Sequence, residues 1–100
     1  MKEDKSRLGD DEIRTELAGL DGWEYLPESR ELRRAWQFQK FVPTMFLIRK
    51  ITRVMDESNH HSDINLDSRS RTLTVTVTTH SEGAVTQADP DFATSVNAVA

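Results

Sequence analysis

The stretch "RTLTVTVTTH", residues 71–80, decides the fold. Leu73, Val75 and Val77 fall on one side of an extended chain, and Thr72, Thr74, Thr76 and Thr78 on the other. Successive side chains of a strand point to opposite faces, so this run reads as a strand with one apolar and one hydroxyl-bearing face. It ends in His80. The other two histidines of the chain, His60 and His61, stand side by side in "DESNHHS" (56–62).

Working outward, Leu47, Ile48, Ile51, Val54 and Met55 repeat with helical spacing behind Pro43, which predicts a helix over roughly 43–59. Before it, "GWEYL" and "ELRRAWQFQKF" flank a turn-like "PES", with Trp36 and Phe38 alternating against Gln37 and Gln39. That pattern predicts a hairpin with strands near 22–26 and 31–41. "DDEIRTELAGL" spaces Ile13, Leu17 and Leu20 along a helix whose acidic first turn suits the positive end of its dipole. "DINLD" reads as a short strand. "TQADPDFATSVNAVA" closes the chain as a helix with Phe92, Val96 and Val99 inside. Thr86 and Asp89 have capping-box spacing there, and Pro90 fits the first turn. Residues 1–9 are charged, lack apolar periodicity, and are expected to be a mobile tail. The order α-β-β-α-β-β-α predicts an α+β fold of two layers, a four-stranded antiparallel sheet with three helices on one face.

The totals bound the function. One hundred residues make one modest core, and 36% hydrophobic with 30% charged residues fits a soluble globular protein. A net charge of −4 and a pI near 5.3 argue against nucleic-acid binding, which needs a basic footprint. No cysteine is present, which removes thiolate metal sites and cysteine nucleophiles together. No signal-peptide run or membrane-spanning stretch is visible, so a cytoplasmic protein is expected. A nucleophile elbow and clustered phosphate-binding glycines are both missing.

Chemistry therefore falls to the imidazoles and carboxylates. Asp56 and His60 are four apart, within reach of one another on a helix. A carboxylate beside a histidine favours its charged form and can hold one ring tautomer. His61 is rotated about 100° from His60 on a continuing helix, so the two share a pocket only if the helix ends there. Each residue also has a purely structural reading: histidines suit a helix C-terminus, and Asp89 suits a cap. A metal held by Asp56, His60, His61 and His80 fits no established ligand spacing.

The segments "GWEYL", "FQKF", "DESNHHS" and "TTH", with the later Asp89, resemble the pterin-4a-carbinolamine dehydratase family, also known as the dimerisation cofactor of a hepatocyte nuclear factor. Asp56, His60, His61, Thr79, His80 and Asp89 match its acid-x-x-x-His-His and Thr-His pattern. The resemblance runs from about residue 10 to the end, which reads as a single domain over 10–100. Three positions depart from the pattern. Ser62 replaces a usual proline, Asn59 stands where Asp is common, and "LDSRSR" lacks the aromatic residue often found after the histidine pair.

The resemblance implies dehydration of a 4a-hydroxytetrahydropterin, 4a-hydroxytetrahydrobiopterin in tetrahydrobiopterin recycling, to the quinonoid dihydropterin. It implies no cofactor and no metal. His61 and His80 would form the main acid/base pair, with His60 positioning the pterin or sharing that role. Asp56 would orient His60, Asp89 would brace the His80 side, and Thr79 would help bind or orient the substrate. The implied partners are the pterin, an aromatic amino-acid hydroxylase that supplies it, and further copies of the chain in a homodimer or homotetramer. Neither nucleic acid nor membrane is expected as a direct partner. A second reading, from a different class, is a weakened relative that acts as an oligomeric interaction or regulatory protein.

Overall fold

The computed structural model describes residues 3–100. Its elements are α1 (Asp10–Leu17), β1 (Trp23–Leu26), β2 (Glu31–Gln37), α2 (Phe41–Ser58), β3 (Asp63–Asp67), β4 (Thr72–Val77), a short 3-10 turn (His80–Glu82) and α3 (Ala88–Val99). The four strands form one antiparallel sheet in the order β1-β2-β4-β3. This is the expected α+β arrangement of three helices and a four-stranded sheet.

The alternation of β4 sets the layers. Leu73, Val75 and Val77 are buried, while the threonines between them stay half-buried on the other face. Leu32 on β2 pairs with Val77 and continues the buried row. Ile13 of α1, Ile51 and Val54 of α2, and Phe92, Ala93 and Val96 of α3 complete the same core. The last expected inward residue of α3, Val99, packs at its edge and is half-buried.

Three boundaries differ from the sequence expectation. α1 stops at Leu17, so Leu20 is buried from the turn beyond the helix. β2 ends at Gln37 rather than 41: the Phe38 N–H still donates in register to the Arg71 carbonyl at 3.0 Å, but Arg71 is left-handed (φ 56°) and β4 begins only at Thr72, so the ladder has no partner strand further on. α2 begins two residues before Pro43. Proline is still tolerated there, since the first turn's N–H groups have no intrahelical acceptor.

Residues 1 and 2 of the expected mobile tail lie outside the described residues. From Glu3 on, the structure instead gives that segment fixed partners. Ser6 accepts from the Gln87 N–H at 2.9 Å, and the Leu8 N–H donates to Val85 at 3.1 Å. Arg7 and Glu82 pair at 3.7 Å. A segment held by backbone bonds and charge pairs, with only Leu8 against the core, leaves no apolar period to read.

Candidate active site

α2 stops where the histidines begin. Asn59 is left-handed (φ 54°, ψ 30°), a conformation asparagine tolerates better than most residues. The Ser58 hydroxyl donates to the Val54 carbonyl at 2.7 Å and accepts from the His60 N–H at 3.3 Å, which ties off the last turn. The reversal sends His60 inward, 5% exposed, against the edge of the Phe92 ring, and leaves His61 exposed.

β4 contributes through its continuation. Thr79 takes the next inward position after Val77 and is buried, so a hydroxyl enters the core where the strand pattern would place another valine. The chain then tightens into the 3-10 turn, and Gly83 closes it at φ 60°. His80, the first residue of that turn, follows on the outward side and is exposed.

α3 brings Asp89, which is fully buried in the first helical turn, where the helix dipole favours an anion. Its Oδ2 accepts from the Thr86 N–H at 2.9 Å and from the Thr79 hydroxyl at 2.8 Å. The Thr86 hydroxyl lies 2.7 Å from the Thr79 oxygen, and also accepts from the Ala88 N–H at 3.3 Å. Only half of the expected capping box is formed: the Asp89 carboxylate takes the Thr86 N–H, but the Asp89 N–H donates to the Thr86 carbonyl at 3.1 Å and the Thr86 hydroxyl serves Ala88 instead. Asp89 Oδ1 also lies 2.6 Å from His60 Nε2, while His60 Nδ1 lies 2.6 Å from Glu3 Oε1. Burial pulls the His60 pKa down, but the hydrogen bonds and charges of Asp89 and Glu3 more than offset this and raise it above the ordinary histidine value.

A cleft of about 190 Å³ joins these parts. His60, His61 and His80 all line it, with Thr79 and Glu3 among its other walls. Imidazoles separated by twenty residues of chain thus converge on one hollow between the end of α2 and the end of the sheet.

Two expected pairings are corrected. Asp56 does not hold His60; it lines a separate recess with Arg49 and Arg53. The i, i+4 relation fails because Asn59 breaks the helix between them. Asp89 braces His60 rather than His80. Glu3 was not foreseen, since an acidic residue in a charged segment without periodicity carries no signal of a partner 57 positions away. Among the described residues, no group of three His, Cys, Asp or Glu side chains is placed to hold a metal ion.

Comparison with known proteins gives the family. A family model described as "Pterin 4 alpha carbinolamine dehydratase" matches residues 6–99. A protein of Mycobacterium avium provisionally named pterin-4-alpha-carbinolamine dehydratase is 38% identical over 92 residues, 92% of this chain and 94% of its own. One of Sulfolobus acidocaldarius with the same provisional name is 31% identical over 93 residues, 93% of this chain and 98% of its own. The crystal structure of a transcriptional coactivator/pterin dehydratase from Brucella melitensis superimposes with a TM-score of 0.85 at 27% identity, covering 95% of this chain and 99% of that one.

Proposed function

This chain belongs to the pterin-4-alpha-carbinolamine dehydratase family, and from that premise we propose that it removes water from a 4a-hydroxytetrahydropterin by histidine acid/base catalysis. The observation that carries the reading is the shared cleft of His60, His61 and His80. The reaction breaks the C4a–oxygen bond as the hydroxyl takes up a proton. A ring N–H proton leaves, and its electron pair forms the new C=N bond. Both transfers suit imidazoles, whose ordinary pKa lies near neutral pH.

The burial of the three rings divides the work. Both nitrogens of His60 are taken by carboxylates, so this ring has no free edge for the substrate and serves as a fixed part of the wall. His61 and His80 are exposed at the cleft and, among the described residues, no side chain holds their rings. One gives the proton to the departing hydroxyl and the other receives the N–H proton. Thr79 and Asp89 hold the wall behind His60 rather than touching substrate. The physiological substrate on this reading is 4a-hydroxytetrahydrobiopterin, supplied by an aromatic amino-acid hydroxylase.

The test is dehydration of freshly generated carbinolamine, followed by absorbance. Replacing His61 or His80 singly with alanine is expected to slow it by about 10²-fold or more. Wild-type rates in both variants would overturn the assignment.

A specific observation also favours self-association. Phe41, Val42, Met45 and Phe46 are exposed along the first half of α2, a contiguous apolar patch of the kind that marks contact surfaces. The chain is expected to form a homodimer or homotetramer, as the family does. Sedimentation showing a monomer at micromolar concentration would refute that, and Phe46→Glu should dissociate the oligomer.

A further inference from the structure

Glu3 reaches the site from the far end of the chain, and three observations bear on what it does there. Its carboxylate lies 2.6 Å from His60 Nδ1, opposite the Asp89 contact. The segment that carries it is anchored beside the cleft and beyond it. Ser6 and Leu8 are bonded to the stretch leading into α3, while the Lys5 ammonium donates to the Ser81 hydroxyl at 3.1 Å, next to His80. Asp4 Oδ1 accepts from the Ser6 N–H at 3.0 Å and the Ser6 hydroxyl at 2.6 Å, a local turn just after Glu3. Finally, Glu3 and Lys5 line the cleft itself, and Glu3 and Asp4 also line a smaller hollow of about 60 Å³ behind His60, with Ser58, Asp91 and Phe92.

We propose that Glu3 is a positioning residue of the histidine site: with Asp89 it clamps the His60 ring between two carboxylates, and the Glu3–Lys5 segment forms one wall of the cleft. A single bond to Asp89 leaves a ring free to pivot about that contact, whereas acceptors on opposite edges fix its plane. Without Glu3, Nδ1 faces a hollow whose other charged groups are Asp4 and Asp91. Asp89 remains at the opposite edge, the Lys5 ammonium lies 3.7 Å from Glu3 Oε2 on the same wall, and His61 and His80 line the rest of the cleft. A buried N–H with no acceptor disfavours the charged ring. The clamp thus sets both the orientation of His60 and its protonation. Its kinetic consequence rests on the dehydratase reading; its effect on His60 does not.

The experiment uses the full chain with labelled histidine, in wild type, Glu3→Gln and Glu3→Asp. Glutamine keeps the shape and drops the charge; aspartate restores the charge on a shorter arm. The NMR titration midpoint of His60 is expected to fall by about one pH unit in Glu3→Gln and by less in Glu3→Asp. On carbinolamine, kcat should fall about tenfold in Glu3→Gln with KM within about twofold, and partly recover in Glu3→Asp. An unchanged His60 midpoint in a folded Glu3→Gln protein overturns the clamp, even if its melting temperature falls. A shifted midpoint with wild-type kcat overturns the positioning role. If the wild type turns over no carbinolamine, the functional reading fails, and the titration alone decides the clamp.

Discussion

Replacing Asp89 with alanine tests the centre of the site. The carboxylate is fully buried and serves three donors: His60 Nε2 at 2.6 Å, the Thr79 hydroxyl at 2.8 Å and the Thr86 N–H at 2.9 Å. These losses are unequal. The Thr79 hydroxyl can turn to the Thr86 oxygen 2.7 Å away, although the Thr86 hydroxyl, which donates to Thr79 in the intact site, must then find another acceptor. The Thr86 N–H cannot, and an orphaned buried donor costs about 1–3 kcal/mol. His60 keeps Glu3 but loses its innermost partner, and breaking a buried pair costs about 3–5 kcal/mol. The two terms share one deleted group, so about 3–5 kcal/mol is the expected total rather than their sum.

A domain of this size loses about 4–8 °C of Tm per kcal/mol, so a drop of at least about 12 °C is expected. Against a typical stability of about 5–15 kcal/mol, that is a large share. Asp89→Asn should cost less. Its amide fills the same space and offers one acceptor, but its NH2 group meets donors where the carboxylate met them with an oxygen. Thermal unfolding by circular dichroism reads both. An Asp89→Ala shift below about 4 °C, the equivalent of one kcal/mol, would refute a structural role for this network.

Three further outcomes are expected. Because the folded pKa of His60 is raised above its unfolded value near 6.5, its contribution to stability is complete below that pH and is lost as pH rises through the folded value. Urea midpoints should therefore fall as pH rises above about 6.5, and His60→Asn should flatten that slope. Asp56→Ala should leave the His60 titration where it is in wild type, while Asp89→Ala moves it; an Asp56 effect of similar size would restore the helical pairing. Gly22→Ala should destabilise by about 1–3 kcal/mol, since Gly22 sits at φ 83° and an added Cβ would lie 2.7 Å from Arg34 Nε. Relief by moving Arg34 would break its stacking on Trp36 at 4.5 Å and its bond to Asn97. A chemical melt indistinguishable from wild type would contradict it.

The fold was legible because its signals are periodic. The two-residue alternation of β4 and the stripe of α2 each repeat one rule several times, and the hairpin places aromatic residues around a turn. Ends of elements were less so. The end of β2 is set by where its partner β4 turns away, at the left-handed Arg71, which no pattern within β2 encodes. In the site, Thr79, His80, Asp89 and the histidine pair were recognisable from their order along the chain. Their pairings were not, because Glu3 reaches His60 across 57 positions and Asp89 reaches it across 29. Spacing predicts contacts only within one regular element, and the expected Asp56–His60 contact assumed an element that had already ended.

That ending is what gives two identical neighbours different surroundings. On a continuing helix His60 and His61 would both project from its surface, about 100° apart, and share much the same solvent. The left-handed Asn59 changes the direction of the chain one residue before the pair. His60 is carried into the layer between helix and sheet, where an imidazole is tolerated only with its nitrogens hydrogen-bonded and any charge paired, and two carboxylates meet that need. His61 is left exposed on the cleft that His80 also lines. An identical side chain is thus committed to structure at one position and left accessible at the next. The backbone angle of a residue with no role in proton transfer separates them.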